Sequence, residues 1–200
     1  MTEINKRIIT PEFTVIWPHL FEPWKHEKDN GKPKYSCEML FDEDADLSGM
    51  KQILKDIAQS EFPGMSMKDI VFPFKSGDQI AARMEKRAAA KGKTANVDHL
   101  RGKIWLRAKS PFAPAICDAS LKEILDTRRI YAGCIGRAEV SFAHYENELQ
   151  GETTYGVTAY LGAYQHLEEG ERIGGRDVKR IFGSVSGQSS EDPEADDDIF

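Results

Sequence analysis

The chain has 200 residues, enough for one domain of ordinary size with short appended segments, and enough apolar and aromatic side chains for a single core. No apolar run approaches the roughly 18–20 residues that span a bilayer, and MTEINKRIIT at the start has no secretory apolar stretch, so the expected compartment is the cytoplasm. The formal net charge of −6 is local: six of the 33 acids fall in residues 191–200, leaving 27 acids against 27 bases in residues 1–190.

EFTVIW (12–17) is rich in β-branched and aromatic residues and predicts a strand that stops at Pro18. WKHEKDNGKPK (24–34) is polar, with Asn30-Gly31 and Pro33, and reads as a loop. In KYSCEMLF (34–41), Tyr35, Cys37, Met39 and Phe41 alternate with Lys34, Ser36 and Glu38, the pattern of a half-buried strand. Asp46 can cap the helix that follows. Leu47, Met50, Leu54, Ile57, Ala58 and Phe62 recur there at helical spacing, and Pro63-Gly64 ends it.

DQIAARMEKRAAAK (78–91) predicts a second helix that is basic, closed by Gly92 and poor in large apolar anchors, and so expected to lie exposed. KIWLRAK (103–109) reads as a strand with Ile104, Leu106 and Ala108 on the core side. Its other face carries Lys103, Trp105, Arg107 and Lys109. PFAPAICD (111–118) reads as a short, Pro-bounded edge strand. GCIGRAEVSFAHY (133–145), with Cys134, Ala138, Val140 and Phe142 inward, and TTYGVTAYLGAY (153–164) predict a long hairpin. Glycines 133, 136, 156 and 162 suit the bulges and curvature of a small closed barrel, and Tyr155 and Tyr160 are assigned to the core. From Gly183 the composition predicts disorder, which divides the chain into a domain at 1–182 and a tail at 183–200.

The pattern lacks βαβ alternation and internal repeats. It predicts a mainly β fold, an OB-fold-like barrel of five to six strands. One packed helix follows the second strand, with a basic helix inserted and an acidic tail appended.

Little in the chain points to catalysis. GERIGGR (170–176) lacks the GK[ST] ending of a phosphate loop. His19, His26, His99, His144 and His166 show no metal-ligand spacing, and Cys37, Cys117 and Cys134 form neither a disulfide framework nor a CxxC knuckle. No cofactor and no metal is expected. Residues 68–110 are the basic stretch, with eleven Lys and Arg against four acids. A single nucleic-acid strand presents phosphates beside unstacked bases, so its groove needs cations along the backbone and aromatic faces for the bases. Lys103, Trp105, Arg107 and Lys109 supply both on one strand face. Phe74, Lys75, Arg83, Lys86, Arg87, Lys91, Lys93 and Arg101 extend the candidate surface.

The last ten residues, EDPEADDDIF, contain Glu191, Asp192, Glu194, Asp196, Asp197 and Asp198, then Ile199 and Phe200. An acidic segment can occupy a cationic groove as a nucleic-acid mimic. It can also act as a tether, with Phe200 filling an apolar pocket on a partner while the acids steer the encounter. A solubilising tail does not need a terminal aromatic.

IYAGCIGRAEVSFAHYE (130–146), followed by YGVTAYLGAYQHLEEGERIGGR (155–176), resembles bacteriophage single-stranded DNA-binding proteins of the OB-fold class. WPHLFEPWK, KYSCEMLF and the helix near Asp46 fit the same resemblance, which covers about residues 10–180. It implies an OB-type barrel with a helix after the second strand, coating of single strands in phage DNA replication and recombination, and an acidic tail ending in Phe that contacts replication proteins. It assigns no individual base-contacting residue. Duplex DNA as a second ligand and self-association are compatible with the same surface. Two other readings are an adaptor that displays the tail to replication proteins and, third, a metal-dependent nuclease or annealing enzyme.

Overall fold

The structure, a computed structural model, describes residues 7–25, 31–149 and 151–174. The expected disordered tail, with Glu191 to Phe200 and the boundary at 182/183, lies outside the described residues.

In chain order the elements are β1 (Arg7–Ile9), β2 (Phe13–Trp24), β3 (Lys34–Asp42), α1 (Ser48–Glu61), β4 (Ile70–Val71) and β5 (Phe74–Ser76). There follow α2 (Gly77–Ala89), β6 (Lys103–Ser110), β7 (Ala115–Cys117), β8 (Ile135–Leu149) and β9 (Glu152–Glu168). Five strands close into a ring. β2 pairs with β3, β3 with β6, β8 with β9 and β8 with β2, all antiparallel, and β6 joins β9 in parallel. Numbered around the chain, β2, β3, β6, β8 and β9 are ring strands one to five, and the ring resembles an OB-type barrel. The count of five to six strands omitted short segments, since β1, β4, β5 and β7 pair along the ring strands as two- or three-residue pieces.

Inside the ring, Val15, Cys37, Met39, Phe41, Leu106, Ala108, Val140, Phe142, Val157, Ala159 and Leu161 form the main core. The alternation read for β8 holds, because Cys134, Ala138, Val140 and Phe142 are all buried. Helix α1 lays Met50, Leu54, Ile57 and Ala58 against this core, with Leu47 and Phe62 buried at its two ends. Removing a side chain such as Ile57 would cost about 2–5 kcal/mol, the usual penalty for a large-to-small core change. Asp46 acts one position before the cap site, accepting the Ser48 amide at 3.0 Å.

Three elements depart from the sequence reading. β2 does not stop at Pro18. Its pairing register breaks between Ile16 and His19, where Trp17 takes a left-handed φ of 45°, and the strand then runs on to Trp24. An irregularity absorbs the missing proline N–H, as strands tolerate Pro at such points. β3 is not half-buried, since Ser36, Glu38 and Leu40 are covered as well as the inward set. The cover over Leu40 is α2, which is not loose. Ile80 and Ala81 join Ile16, Leu40, Val97, Leu100 and Trp105 in a second apolar cluster outside the ring. Two anchors and a loop, 95–100, do the work that a row of large residues does in α1.

The chain after β9 folds back over the segment before β8. The Ile173 amide donates to the Ala132 carbonyl at 2.7 Å, and the Tyr131 hydroxyl to the Gly170 carbonyl at 3.0 Å. Gly133 makes the close approach possible: its φ is +116°, and a Cβ there would stand 1.9 Å from the Glu171 carbonyl oxygen. Gly133→Ala should therefore lower unfolding free energy by about 1–3 kcal/mol in urea denaturation. Gly31→Ala, with no heavy atom within 4 Å of its Cβ position, should stay near wild type. Equal stability of the two variants would contradict the close packing at 133.

Candidate nucleic-acid interface

The outer face of β2, β3 and β6 is divided across its length. At one end α2 covers Ile16, Leu40 and Trp105. Beyond it the face opens into a groove of about 480 Å³ lined by Lys34, Lys75, Trp105, Arg107, Lys109, Tyr145 and Tyr160, with Phe72 and Pro73 on the wall. Strand register explains the convergence. Lys109 lies opposite Ser36 on β3 and beside Tyr160 on β9, while Lys75 on β5 lies opposite Trp105 on β6.

The candidate residues separate into groups. Lys75, Trp105, Arg107 and Lys109 share the groove. Lys103 is at the α2-covered end of β6, paired with Asp42, and Arg101 pairs with Glu85 at 2.5 Å; neither lines it. Phe74 turns inward and packs edge-on against Phe41. Arg83, midway along α2, is close enough for its charge to act on Glu38, but it does not line the groove. Lys86, Arg87, Lys91 and Lys93 are exposed on and after α2 and do not line the groove.

Trp105 departs most from the sequence reading. Its indole is only 8 % exposed, its Nε1 donates to Glu38 Oε2 at 2.9 Å, and Lys75 Nζ lies 5.4 Å from the ring centre. The indole therefore forms the groove floor rather than a free-standing platform. The reason is α2, which the sequence reading left unpacked.

Glu38 organises the polar floor. One carboxylate oxygen accepts from Trp105 and the other lies 3.3 Å from Arg107 Nε, an ion pair not aligned as a hydrogen bond. Burial raises the Glu38 pKa above the ordinary carboxylate range, while Arg107, the Trp105 hydrogen bond, Lys109 and Arg83 pull it down. The charge of Arg107 also reaches His19, whose pKa is lowered first by burial and then by Arg107. His19 stacks on Trp24 with ring centres 5.2 Å apart and planes at 10°, and Trp24 is paired in register with Lys34.

Several of these groups were missed in sequence. Tyr160 was assigned to the core, yet it is 43 % exposed, whereas Tyr155 does pack on Phe62 at 5.5 Å. The signal was available, since Val157, Ala159 and Leu161 alternate inward and place Tyr160 outward. Lys34 begins the Ser36–Glu38 face and could have been read from the same alternation. Trp24 was hidden by the assumption that β2 ended at Pro18.

The described residues contain no cluster of His, Cys, Asp and Glu that could hold a metal ion, and no helix among them is long and apolar enough to cross a membrane. Residues 6–193 match the family model described as the single-stranded DNA-binding protein of Enterobacter phage Enc34. The chain belongs to this family. Its members are single-stranded DNA-binding proteins rather than enzymes. No curated protein sequence matches. Among solved structures, the Enc34 protein in complex with single-stranded DNA is similar at 18 % identity with a TM-score of 0.61, covering 84 % of this chain and 90 % of that one. A single-stranded DNA-binding protein of bacteriophage T7, gp2.5, is similar at 14 % identity with a TM-score of 0.56, covering 92 % and 98 %. At these identities the likeness is one of fold.

The raised Glu38 pKa has a measurable sign. Because the folded state holds this proton more tightly than the unfolded chain, the residue's contribution to stability is present at low pH and is lost as pH rises through its folded-state pKa. Carbon-13 NMR titration should place the Glu38 midpoint above the ordinary glutamate value of about 4.3, and Arg107→Ala should move it higher still. A midpoint at or below the ordinary value would contradict the buried setting.

Proposed function

We propose that this protein binds single-stranded DNA in the groove between β6, β5 and β9, largely without sequence preference. The observation that carries the reading is the convergence of Lys34, Lys75, Arg107 and Lys109 with Tyr160 on one concave surface beside ring strands two and three. In OB-type barrels that face is the one suited to an oligonucleotide. Phosphates meet the four cations, and bases stack on Tyr160, with the His19–Trp24 pair marking one end of the path. Trp105 supports the floor and keeps Lys75 in place. Stacking accepts any base, which accounts for weak sequence preference. Membership of a family of phage single-stranded DNA-binding proteins supports the same reading, as does the Enc34 complex with single-stranded DNA.

The acidic end has two roles in this proposal. Its six carboxylates compete with DNA for the cationic groove, and Ile199–Phe200 anchors replication proteins. The protein then coats single strands in the host cytoplasm during phage replication and recombination, and recruits other machinery when DNA displaces the tail.

Binding of a labelled oligothymidylate across a salt series tests this with the full chain and a 1–190 truncation side by side. Each neutralised phosphate contributes about −0.7 to the log–log slope, so four contacts give about −3, and Arg107→Ala should flatten the slope by about 0.7. The truncation should bind more tightly. A flat slope, or no binding by either form, would sink the groove; equal affinity of the two forms would remove the tail from it.

A further inference from the structure

A second concavity of about 470 Å³ adjoins the groove and shares Pro111 and Tyr160 with it. Its geometry comes from the way the chain leaves β6. β6 pairs with β9 at Ala159 and Tyr160, and β7 pairs with the same strand further on, at Ala163 to Gln165. Residues 111–114 must therefore pass beside β9 at the level of Tyr160 to Gly162. Phe112 lies in that passage and is 78 % exposed, with its amide held by Ser110 Oγ at 3.0 Å. Such exposure of a phenyl ring gains nothing for the fold.

Resting on the single-strand reading above, we propose that this concavity is a second nucleobase subsite. A strand leaving the first groove over Tyr160 places its next base against Phe112. The chemistry of the walls selects a base over the sugar–phosphate backbone. Tyr160 and Phe112 are exposed aromatic faces, and Gly162, on the same wall, leaves its side-chain space to the Glu139 carboxylate, whose Oε2 lies 2.6 Å from where a Cβ would stand. That Glu139 carboxylate would repel a phosphate, and its charge is already met by Arg7 at 3.7 Å. The phosphates stay on the Lys109 side, and the aromatic rings take the bases. Tyr160 thus serves both subsites and Phe112 only the second.

An oligothymidylate length series with the full chain tests this, comparing wild type, Phe112→Ala, Tyr160→Ala and Tyr160→Phe. Oligomers of about 4 nucleotides fill the first groove alone, and those of about 12 reach both, within the usual span for such barrels. Phe112→Ala should lose about tenfold in affinity for the long oligomer, the ordinary scale for one base–aromatic stack, and leave the short one unchanged. Tyr160→Ala should weaken both, and Tyr160→Phe neither. Full affinity of Phe112→Ala for the long oligomer would overturn the second subsite while leaving the first intact. Failure of wild type to bind either length would overturn the single-strand reading itself. Because Phe112 is exposed, its removal should leave the melting temperature unchanged, and a fall of several degrees would assign the ring to the fold instead.

Discussion

Closure of the ring through β6 and β9 is the constraint on which the rest depends. The parallel contact is short, pairing Ala108 with Ala159 and Lys109 with Tyr160. The two alanines, both fully buried, let two curved strands approach without a bulky side chain between them. The next residues point outward, and so the same closure that completes the core sets a lysine beside an exposed tyrosine. Beyond Tyr160 the strands part, because β6 ends at Ser110 and the chain crosses to β7. The groove and the neighbouring concavity are the two sides of that parting.

The second organising feature is the division of the outer face by α2. A sheet face that is apolar at one end and cationic at the other would be a poor free surface and a poor core. The helix covers the apolar end through Ile80 and Ala81, leaving the cationic end open. Glu38 stands near the boundary, tied to Trp105 on the covered side and facing Arg107 on the open side. Removing either partner would leave a buried charge or donor uncompensated, which is costlier than losing the net value of the contact. The covered half therefore fixes the geometry of the open half.

How much of this was legible in the sequence follows from the range of the signals. Strand alternation is local, so β3, β8 and β9 were readable as strands, with the inward residues of β3 and β8, as was the amphipathic stripe of α1. The basic face of β6 was also readable, but alternation says only that Trp105 leaves the core side. It does not say whether another element covers that side. Here α2, the loop at 95–100 and a glutamate 67 residues earlier in the chain combine to bury the indole, and none of these is local to KIWLRAK. Lys103 fails as a groove residue for a similar reason, since Asp42, its partner, is fixed by the β3–β6 register. Pro18 misled because proline marks strand ends more often than bulges. Tyr160 was assigned inward although its own neighbours placed it outward.

The central claim is that a single strand lies on the open half of the β3–β6 face and against β9. The most direct measurement is a map of amide and side-chain NMR shifts in the full-length protein on addition of oligothymidylate. The account predicts that the largest changes fall on Lys34, Lys75, Arg107, Lys109 and Tyr160. Changes centred instead on the neighbouring groups Asp118, Arg129 and His166, with the groove residues still, would contradict it.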